Sequence, residues 1–425
     1  MNQQFYGWKL LAVLCVMMAT TSFISFGGSI MNTSMMMDMH LDRKSLGLAF
    51  AAMGLCLGIA SPFVGYSVNK WGARANLLAG TLMATLGALA LATMVNTLVG
   101  IVIVYGLVMG CALALSGTIP AQTVVNYWFK RRLALAMTIV VAGSTVGGFV
   151  AVPLLAQVIE ASSGNWRMGW FVVAAVCAGA FCCSILFVRN KPAEIGQVQD
   201  GVVEEADFQS DAKAVSQPTS SVHKTSKDWT VREAVWHPTF WLLIIGLVSG
   251  MSSYGIMIGH GVAHFKDLGH SPTMAAMFLS LMILAGLVGK ALFAILGDRV
   301  EPRFIWGAGQ IFVAIGMALG VNATSNIELY ATAFLLGAGA SVISLGMATL
   351  TSNYFGETAF APIMGIARLL LTLAPSITIV LAGITFDHFG SYALAFYTAA
   401  GICGLGGLVM PFAGPPVLAL DKQVT

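Results

Sequence analysis

The chain consists mostly of long apolar runs, each separated from the next by a short polar stretch. A run of about 20 apolar residues is long enough, at 1.5 Å per residue, to cross the ~30 Å hydrocarbon core of a bilayer as one helix. The sequence therefore predicts an all-α membrane protein with twelve transmembrane helices. The predicted spans are residues 9–31, 46–67, 76–94, 98–123, 133–157, 168–188, 237–261, 273–297, 304–321, 328–350, 360–384 and 392–413.

One longer polar stretch, residues 189–235, divides these runs into two sets of six. It is rich in Glu, Asp, Ser and Gln, a composition that predicts a largely disordered cytoplasmic linker. The expected domain organisation is a six-helix half in residues 1–188, this linker, and a second six-helix half in residues 236–425.

The two sets of six repeat each other in sequence. The segment "PFVGYSVNKWGAR" at 62–74 aligns with "LFAILGDRVEPR" at 292–303, which is one residue shorter, and "VNYWF" at 125–129 aligns with "SNYF" at 352–355. The first alignment pairs Asn69, Lys70 and Arg74 with Asp298, Arg299 and Arg303 respectively. A six-plus-six parallel repeat is typical of alternating-access transporters, whose substrate site lies near the midplane between the halves.

Composition and charge agree with a membrane location. Only 9% of the residues are charged, against about 25% in soluble domains. Fifteen of the 21 Lys and Arg residues fall in loops on the amino-terminal side and four on the opposite side. This asymmetry predicts a multi-pass protein of the plasma (cell inner) membrane with both termini cytoplasmic. The first apolar run is too long for a signal-peptide core and is expected to be retained.

Two cations fall inside predicted spans. Lys290 lies eight residues before Asp298, about 12 Å deep in a helix, and Arg368 lies about 15 Å into its own span. All 18 carboxylates fall in loops or at helix ends. An unpaired charge at such depth costs about 2.5–3.5 kcal/mol. The sequence predicts that a bound anion neutralises both cations, although structural bonding to helix carbonyls is an alternative.

The repeated loop pattern G-x-x-x-D-R/K-x-G-x-R/K resembles the signature of the major facilitator superfamily. Further stretches, "YGW" (6–8), "NYWFKRRLALAMTIVVAGSTVGG" (126–148) and "HFKDLGHSPTMAA" (264–276), are similar to its monocarboxylate porter and oxalate/formate antiporter branch. The resemblance implies the major facilitator fold with two pseudo-symmetric halves. It also assigns a conformational gating role to Asn69, Lys70, Arg74, Asp298, Arg299 and Arg303. The first copy departs from the pattern, because Asn69 stands where an aspartate is usual.

The resemblance also implies a substrate site. In the oxalate/formate branch, basic residues on helices 8 and 11 bind the substrate's carboxylates, and Lys290 and Arg368 match them with the two residue types exchanged. Tyr254 and Ser341 are further expected substrate-binding residues. Small residues in 334–346 and 363–368 replace the aromatics of that branch's oxalate porters, which predicts a roomier pocket.

No carboxylate is predicted at mid-membrane, so His260 is the candidate for proton coupling. His264 lies four residues further on and shares a helix face with it.

The predicted function is that of a secondary active transporter, a symporter or antiporter, for a small organic anion, most simply a carboxylate. The alternatives are a porter of a neutral or heteroaromatic nutrient, an exporter, or a membrane sensor that does not transport. The expected partners are the lipid bilayer, the anion and a coupled proton or counter-anion. We expect a monomer without enzymatic activity, cofactor, metal or nucleic-acid partner.

Overall fold

The computed structural model describes residues 5–40, 43–201, 222–225 and 227–416. Long helices dominate it. The first nine are α1 (Gly7–Met39), α2 (Arg43–Trp71), α3 (Ala73–Thr93), α4 (Leu98–Trp128), α5 (Leu133–Ala161), α6 (Trp166–Phe187), α7 (Pro238–Asp267), α8 (Pro272–Leu296) and α9 (Pro302–Gly320). We call α1–α6 the first half and α7 onwards the second half.

The next helical segment, Asn326–Phe389, has 64 residues. At 1.5 Å per residue it is about 96 Å long, enough for two bilayer crossings. Gly356 interrupts it with φ 77° and ψ −164°, a conformation open mainly to glycine. We number the part before Gly356 α10 and the part after it α11, and α12 follows at Ala393–Val409. The twelve predicted helices are confirmed, whereas the loop expected between 350 and 360 is wrong, because the turn is made at one glycine.

Several helices extend beyond their predicted ends. α1 continues to Met39 instead of residue 31, and α2 begins at Arg43 instead of residue 46. α4 continues to Trp128, with a π-helical stretch at Val102–Val108 and an extended residue at Gly117. Hydropathy locates the part of a helix within hydrocarbon and does not detect polar turns that continue the helix outside it.

The expectation of a largely disordered linker is wrong for the two ends of the linker. Residues 189–201 contain a 3-10 turn at Pro192–Ile195, and a short helix, Val231–Trp236, precedes α7. Residues 202–221 and 226 lie outside the described part of the chain. We call the side of the bundle that carries these linker segments the linker face, and the opposite side the far face.

Glycines allow the two halves to meet along α2 and α11. A Cβ at Gly65 would lie 2.4 Å from the carbonyl oxygen of Ala361, and one at Gly365 would lie 2.6 Å from that of Ser61. Small residues at such positions let helix backbones approach closely. Nearer the far face, a Cβ at Gly47 or Gly54 would meet no atom within 4 Å. Along α2 and α11 the halves therefore touch towards the linker face and separate towards the far face.

Candidate functional site

A cavity of about 860 Å³ lies between the two halves. Most of its wall comes from α1, α4 and α5 of the first half. The second half contributes Ile283, Ser344 and Arg368 from α8, α10 and α11. Hydroxyl-bearing and apolar residues alternate around the wall, including Ser22, Ser25, Thr145, Phe26 and Phe149. Such a mixture, mainly apolar with a few polar groups, is typical of small-molecule sites.

Arg368 is the one charged residue among the described residues that line this cavity. Its position follows from the contact between α2 and α11, because Gly365, three residues earlier, lies against the backbone of Ser61. Within the described part of the chain, no hydrogen bond or ion pair involves its guanidinium, and no carboxylate lines the cavity. The Arg368 side chain is therefore available to bind an anion.

Lys290 lies beside the same cavity, on α8. Its Nζ donates a hydrogen bond of 2.5 Å to Oγ1 of Thr145, a lining residue on α5 of the opposite half. The neighbouring Gly289 fixes this position, since a Cβ there would lie 2.2 Å from the carbonyl oxygen of Ala338 on α10. The close packing of α8 on α10 directs the next residue towards the first half. The structure therefore brings both predicted cations to one cavity.

The other expected substrate-binding residues lie outside the described lining of this cavity. Tyr254 packs against the apolar core of the second half. Ser341 faces α8, where a Cβ at Gly286 would lie 2.8 Å from its Oγ. Gly337 also contacts α8, since its Cβ would lie 1.9 Å from the carbonyl oxygen of Met282. Gly337, Ser341 and Gly365 thus contact neighbouring helices, whereas Ser344 of the same stretch of α10 lines the cavity.

Thr145 and Ser344 are two of the polar lining residues that the sequence does not single out. Ser344 lies three residues after Ser341, so the sequence points to this region of α10, whereas Thr145 and its neighbour Ser144, both in the lining, are found only in the structure. Which residue of each turn faces the cavity depends on helix rotation within the bundle. That rotation is set by contacts with other helices and has no local signal.

The two histidines on α7 lie near the far face and away from the described cavity lining. The Nε2 of His260 is 2.9 Å from the carbonyl oxygen of Ile379 on α11, and its ring centroid is 4.9 Å from that of Tyr392. His264 is buried, with its Nε2 2.9 Å from the carbonyl oxygen of Gly320 at the end of α9. The hydrogen bond of His260 joins α7 to α11, whereas that of His264 joins α7 to α9.

The gating candidates Asn69 and Asp298 both join the halves at the linker face. The Asn69 amide donates to the carbonyl oxygen of Thr358 at 2.6 Å. The Asp298 carboxylate accepts from the backbone N–H groups of Ala134 and Leu135, at 2.9 and 3.1 Å, at the start of α5. Burial raises the pKa of Asp298, and these two hydrogen bonds oppose the shift.

Three of the four basic gating candidates have described contacts within their own halves. Arg74 donates from Nη2 to the carbonyl oxygen of Ile185 at 2.7 Å, and the Arg303 guanidinium carbon lies 4.9 Å from the ring centroid of Phe304. Lys70 Nζ lies 5.3 Å from the ring centroid of Trp71, and Arg299 is exposed. Their gating role stays a prediction.

Two repeated six-helix sets with a cavity between them are the architecture of an alternating-access membrane carrier. The chain belongs to the Major Facilitator Superfamily, whose profile matches residues 10–265 and 242–423. It is therefore a membrane transporter and not an enzyme.

The chain is similar to curated transporters over most of its length. It is 23% identical to monocarboxylate transporter 13 of Rattus norvegicus, over 86% of this chain and 78% of that protein. It is 21% identical to the probable sulfoacetate transporter SauU of Cupriavidus necator, over 97% of this chain and 95% of that protein. These matches confirm the resemblance to the monocarboxylate branch.

Solved structures confirm the fold. A single-residue variant of the fucose:proton symporter FucP of E. coli superposes with a TM-score of 0.72 at 14% identity, covering 97% of this chain and 100% of that one. A FucP structure described as being in the outward conformation gives a TM-score of 0.73 at 14% identity, over 96% and 99% of the two chains.

Proposed function

We propose that this transporter moves a small organic anion, a carboxylate or a sulfonate, by alternating access, with Arg368 and Lys290 binding the anion. The observation that carries the proposal is the convergence of two cations on one cavity whose described lining contains no carboxylate. The cation of Arg368 has no hydrogen-bonding partner among the described residues, and Lys290 has a neutral hydroxyl. A buried charge without an opposite charge beside it raises the free energy of the folded protein. Binding of an anionic substrate offsets this cost.

The relatives support the same substrate class. One is named for monocarboxylates and another for sulfoacetate, an anion with both a carboxylate and a sulfonate group. In this chain the cavity of about 860 Å³ is large for a two-carbon anion, and Phe26 and Phe149 give it apolar surface. We infer that the substrate has an apolar or polar body beyond its charged group. In this proposal the linker face is cytoplasmic, and the structure is open to the outside.

The direct test is uptake by purified protein in proteoliposomes. A panel of mono- and dicarboxylates and sulfonates, each matched with its uncharged amide, is offered at equal concentration. We expect saturable uptake of at least one anion and none of its amide. Uptake of the amide at an equal rate would contradict an anion site.

The substitution Lys290→Met tests whether two cations share the substrate. It keeps an unbranched side chain and removes the charge. We expect uptake of every anion to fall and that of dianions to fall most, because Arg368 alone then faces two anionic groups. A charge-assisted hydrogen bond contributes about 1.5–3 kcal/mol, so the loss in apparent affinity should be at least tenfold. Equal losses for mono- and dianions would show that Lys290 does not contact the second group.

His260 gives a testable route for proton coupling. The His260 hydrogen bond links α7 to α11, the helix that carries Arg368. Asp267 on α7 and Asp387 on α11 are the acidic residues that act on Tyr392, the ring beside His260. We expect anion uptake to rise as the external pH falls from about 8 to 6, and His260→Ala to flatten that profile.

His264→Ala is the matched control, because His264 bonds to α9 instead of α11. This variant should keep the pH dependence of the parent. If His260→Ala keeps the pH profile of the parent, His260 is not the proton site. The remaining routes of coupling are then anion exchange and a proton carried on the substrate.

A further inference from the structure

The helix starts of α5 and α11 occupy equivalent places in the two halves, yet their carboxylate partners come from different parts of the chain. At α5 the partner is Asp298, from the opposite half. At α11 the position equivalent to Asp298 is Asn69, whose amide donates to the Thr358 carbonyl and supplies no carboxylate. The carboxylate comes instead from the linker. Asp228 accepts from the backbone N–H of Thr358 at 2.9 Å with one oxygen, and from the Thr358 hydroxyl with the other.

Backbone contacts hold Asp228 in this position. The N–H groups of Thr225 and Trp229 donate to the carbonyl oxygens of Asn353 and Phe355 at 2.8 and 3.2 Å. The Trp229 side chain is buried and packs edge-on against Phe355, with ring centroids 5.9 Å apart. The linker passes so close to Gly356 that a Cβ there would lie 2.8 Å from Oδ1 of Asp228. The described linker residues 225 and 227–229 therefore lie alongside the break between α10 and α11.

We propose that Asp228 is a positioning residue of the transport cycle, which supplies at α11 the carboxylate that the first motif copy lacks at Asn69. The start of a helix presents unpaired N–H groups and a partial positive charge, so a carboxylate there stabilises the first turn. Arg368 lies ten residues beyond Thr358, about 15 Å along the same helix. The residue that orders the start of α11 thus also sets the position of Arg368.

The two carboxylates differ in what must happen when the linker face opens. Asp298 and α5 belong to opposite halves, so their hydrogen bonds must break. Asp228 precedes α7 and belongs with α11 to the second half, so its bonds can persist. At α11 the contact that must break is the neutral one from Asn69. This difference also explains the asparagine, because a carboxylate at residue 69 would face Asp228 across one helix start and the like charges would repel.

A thiol reporter at residue 361 measures opening of the linker face without any substrate. Ala361 is fully buried and packs in one apolar cluster with Val64 and Val68 of α2, so its side chain is hidden while the halves touch. Ala361→Cys is placed in a chain whose seven native cysteines are replaced by alanine or serine. The rate of maleimide labelling of the purified full chain in detergent then reports how often the halves separate.

Asp228→Asn in this background should label about fivefold faster, because the first turn of α11, which contains residue 361 and the Thr358 carbonyl bonded by Asn69, frays more often once a helix cap of typical strength is lost. Moving the carboxylate to the other residue, in Asn69→Asp with Asp228→Asn, should return the rate towards that of the parent. A purely structural role of the linker would not allow this rescue from another helix. Glu233→Gln is the matched control, because Glu233 is a linker carboxylate paired with Lys227 at 2.9 Å. It should label at the parent rate.

The proposal is overturned if Asp228→Asn labels at the parent rate, if Glu233→Gln labels as fast as Asp228→Asn, or if the double variant labels as fast as Asp228→Asn. If Asp228→Asn does not give a single folded peak on size-exclusion chromatography, the double variant is expected to restore the peak. If the double variant also lacks a folded peak, the proposal is overturned. Because labelling needs no substrate, these outcomes are independent of whether the transported molecule is an anion.

Discussion

Arg368→Ala should abolish saturable anion uptake while leaving a folded, membrane-inserted protein. Arg368 is the charged residue of the described cavity wall, and its guanidinium offers a planar fork that can bind a carboxylate through two hydrogen bonds. Its loss removes the main counter-charge for the substrate. Removal of a charge from the membrane interior eases insertion, so the folded yield should not fall. Uptake of the anion identified with the panel, in proteoliposomes, measures the effect.

Two further variants, Arg368→Lys and Lys266→Ala, are measured beside Arg368→Ala for comparison. Arg368→Lys keeps the charge without the fork and should retain weak uptake. Lys266 is exposed near the far-face end of α7, so Lys266→Ala removes a cation outside the described cavity lining and should transport normally. Full uptake by Arg368→Ala would show that the anion site lies elsewhere.

Gly289→Val should strongly destabilise the protein and displace Lys290. A Cβ at Gly289 would lie 2.2 Å from the carbonyl oxygen of Ala338 and 2.8 Å from its Cα. These are backbone atoms of α10, so no side-chain rotation relieves the clash, and α8 must move away. Overpacking typically costs about 1–3 kcal/mol, and a clash with backbone lies at the upper end or beyond. Thermal unfolding in detergent should show a clearly lower midpoint.

Gly179→Val is the matched control, since a Cβ at this glycine of α6 would meet no atom within 4 Å. It should unfold close to the parent midpoint. If Gly289→Val unfolds at the same temperature as Gly179→Val, α8 and α10 do not pack as closely as the structure shows.

The sequence predicts the fold well because one local property, hydropathy, defines most of it. Twelve apolar runs give twelve helices, and the repeated loop motif gives two halves. The errors lie where hydropathy carries no information. The turn at Gly356 is one residue in the αL-like region of φ, and the ends of the linker are ordered by backbone bonds to the break between α10 and α11.

The candidate site is predicted in part. Lys290 and Arg368 stand out because a cation within an apolar run is visible in the sequence; Arg368 lines the cavity and Lys290 hydrogen-bonds to a lining residue. Ser341 and Tyr254 do not line it in the described structure, and Thr145 does. A small or hydroxyl-bearing residue suits a cavity wall and a helix contact equally well. Only the arrangement of α5, α8 and α10 in space decides between the two.

The single-residue turn at Gly356 has a mechanical consequence. Between Asn326 and Phe389 it is the one residue outside helical conformation, whereas residues 129–132 separate α4 from α5 in the first half. The angle between α10 and α11 is set by the two dihedrals of this glycine, and the linker residues Lys227 and Asp228 pack directly against it. Ser344 on α10 and Arg368 on α11 should therefore keep a constant separation throughout the cycle. The second-half wall of the cavity then moves as a rigid body. Changes in the shape of the site come instead from movement of α1, α4 and α5 in the first half.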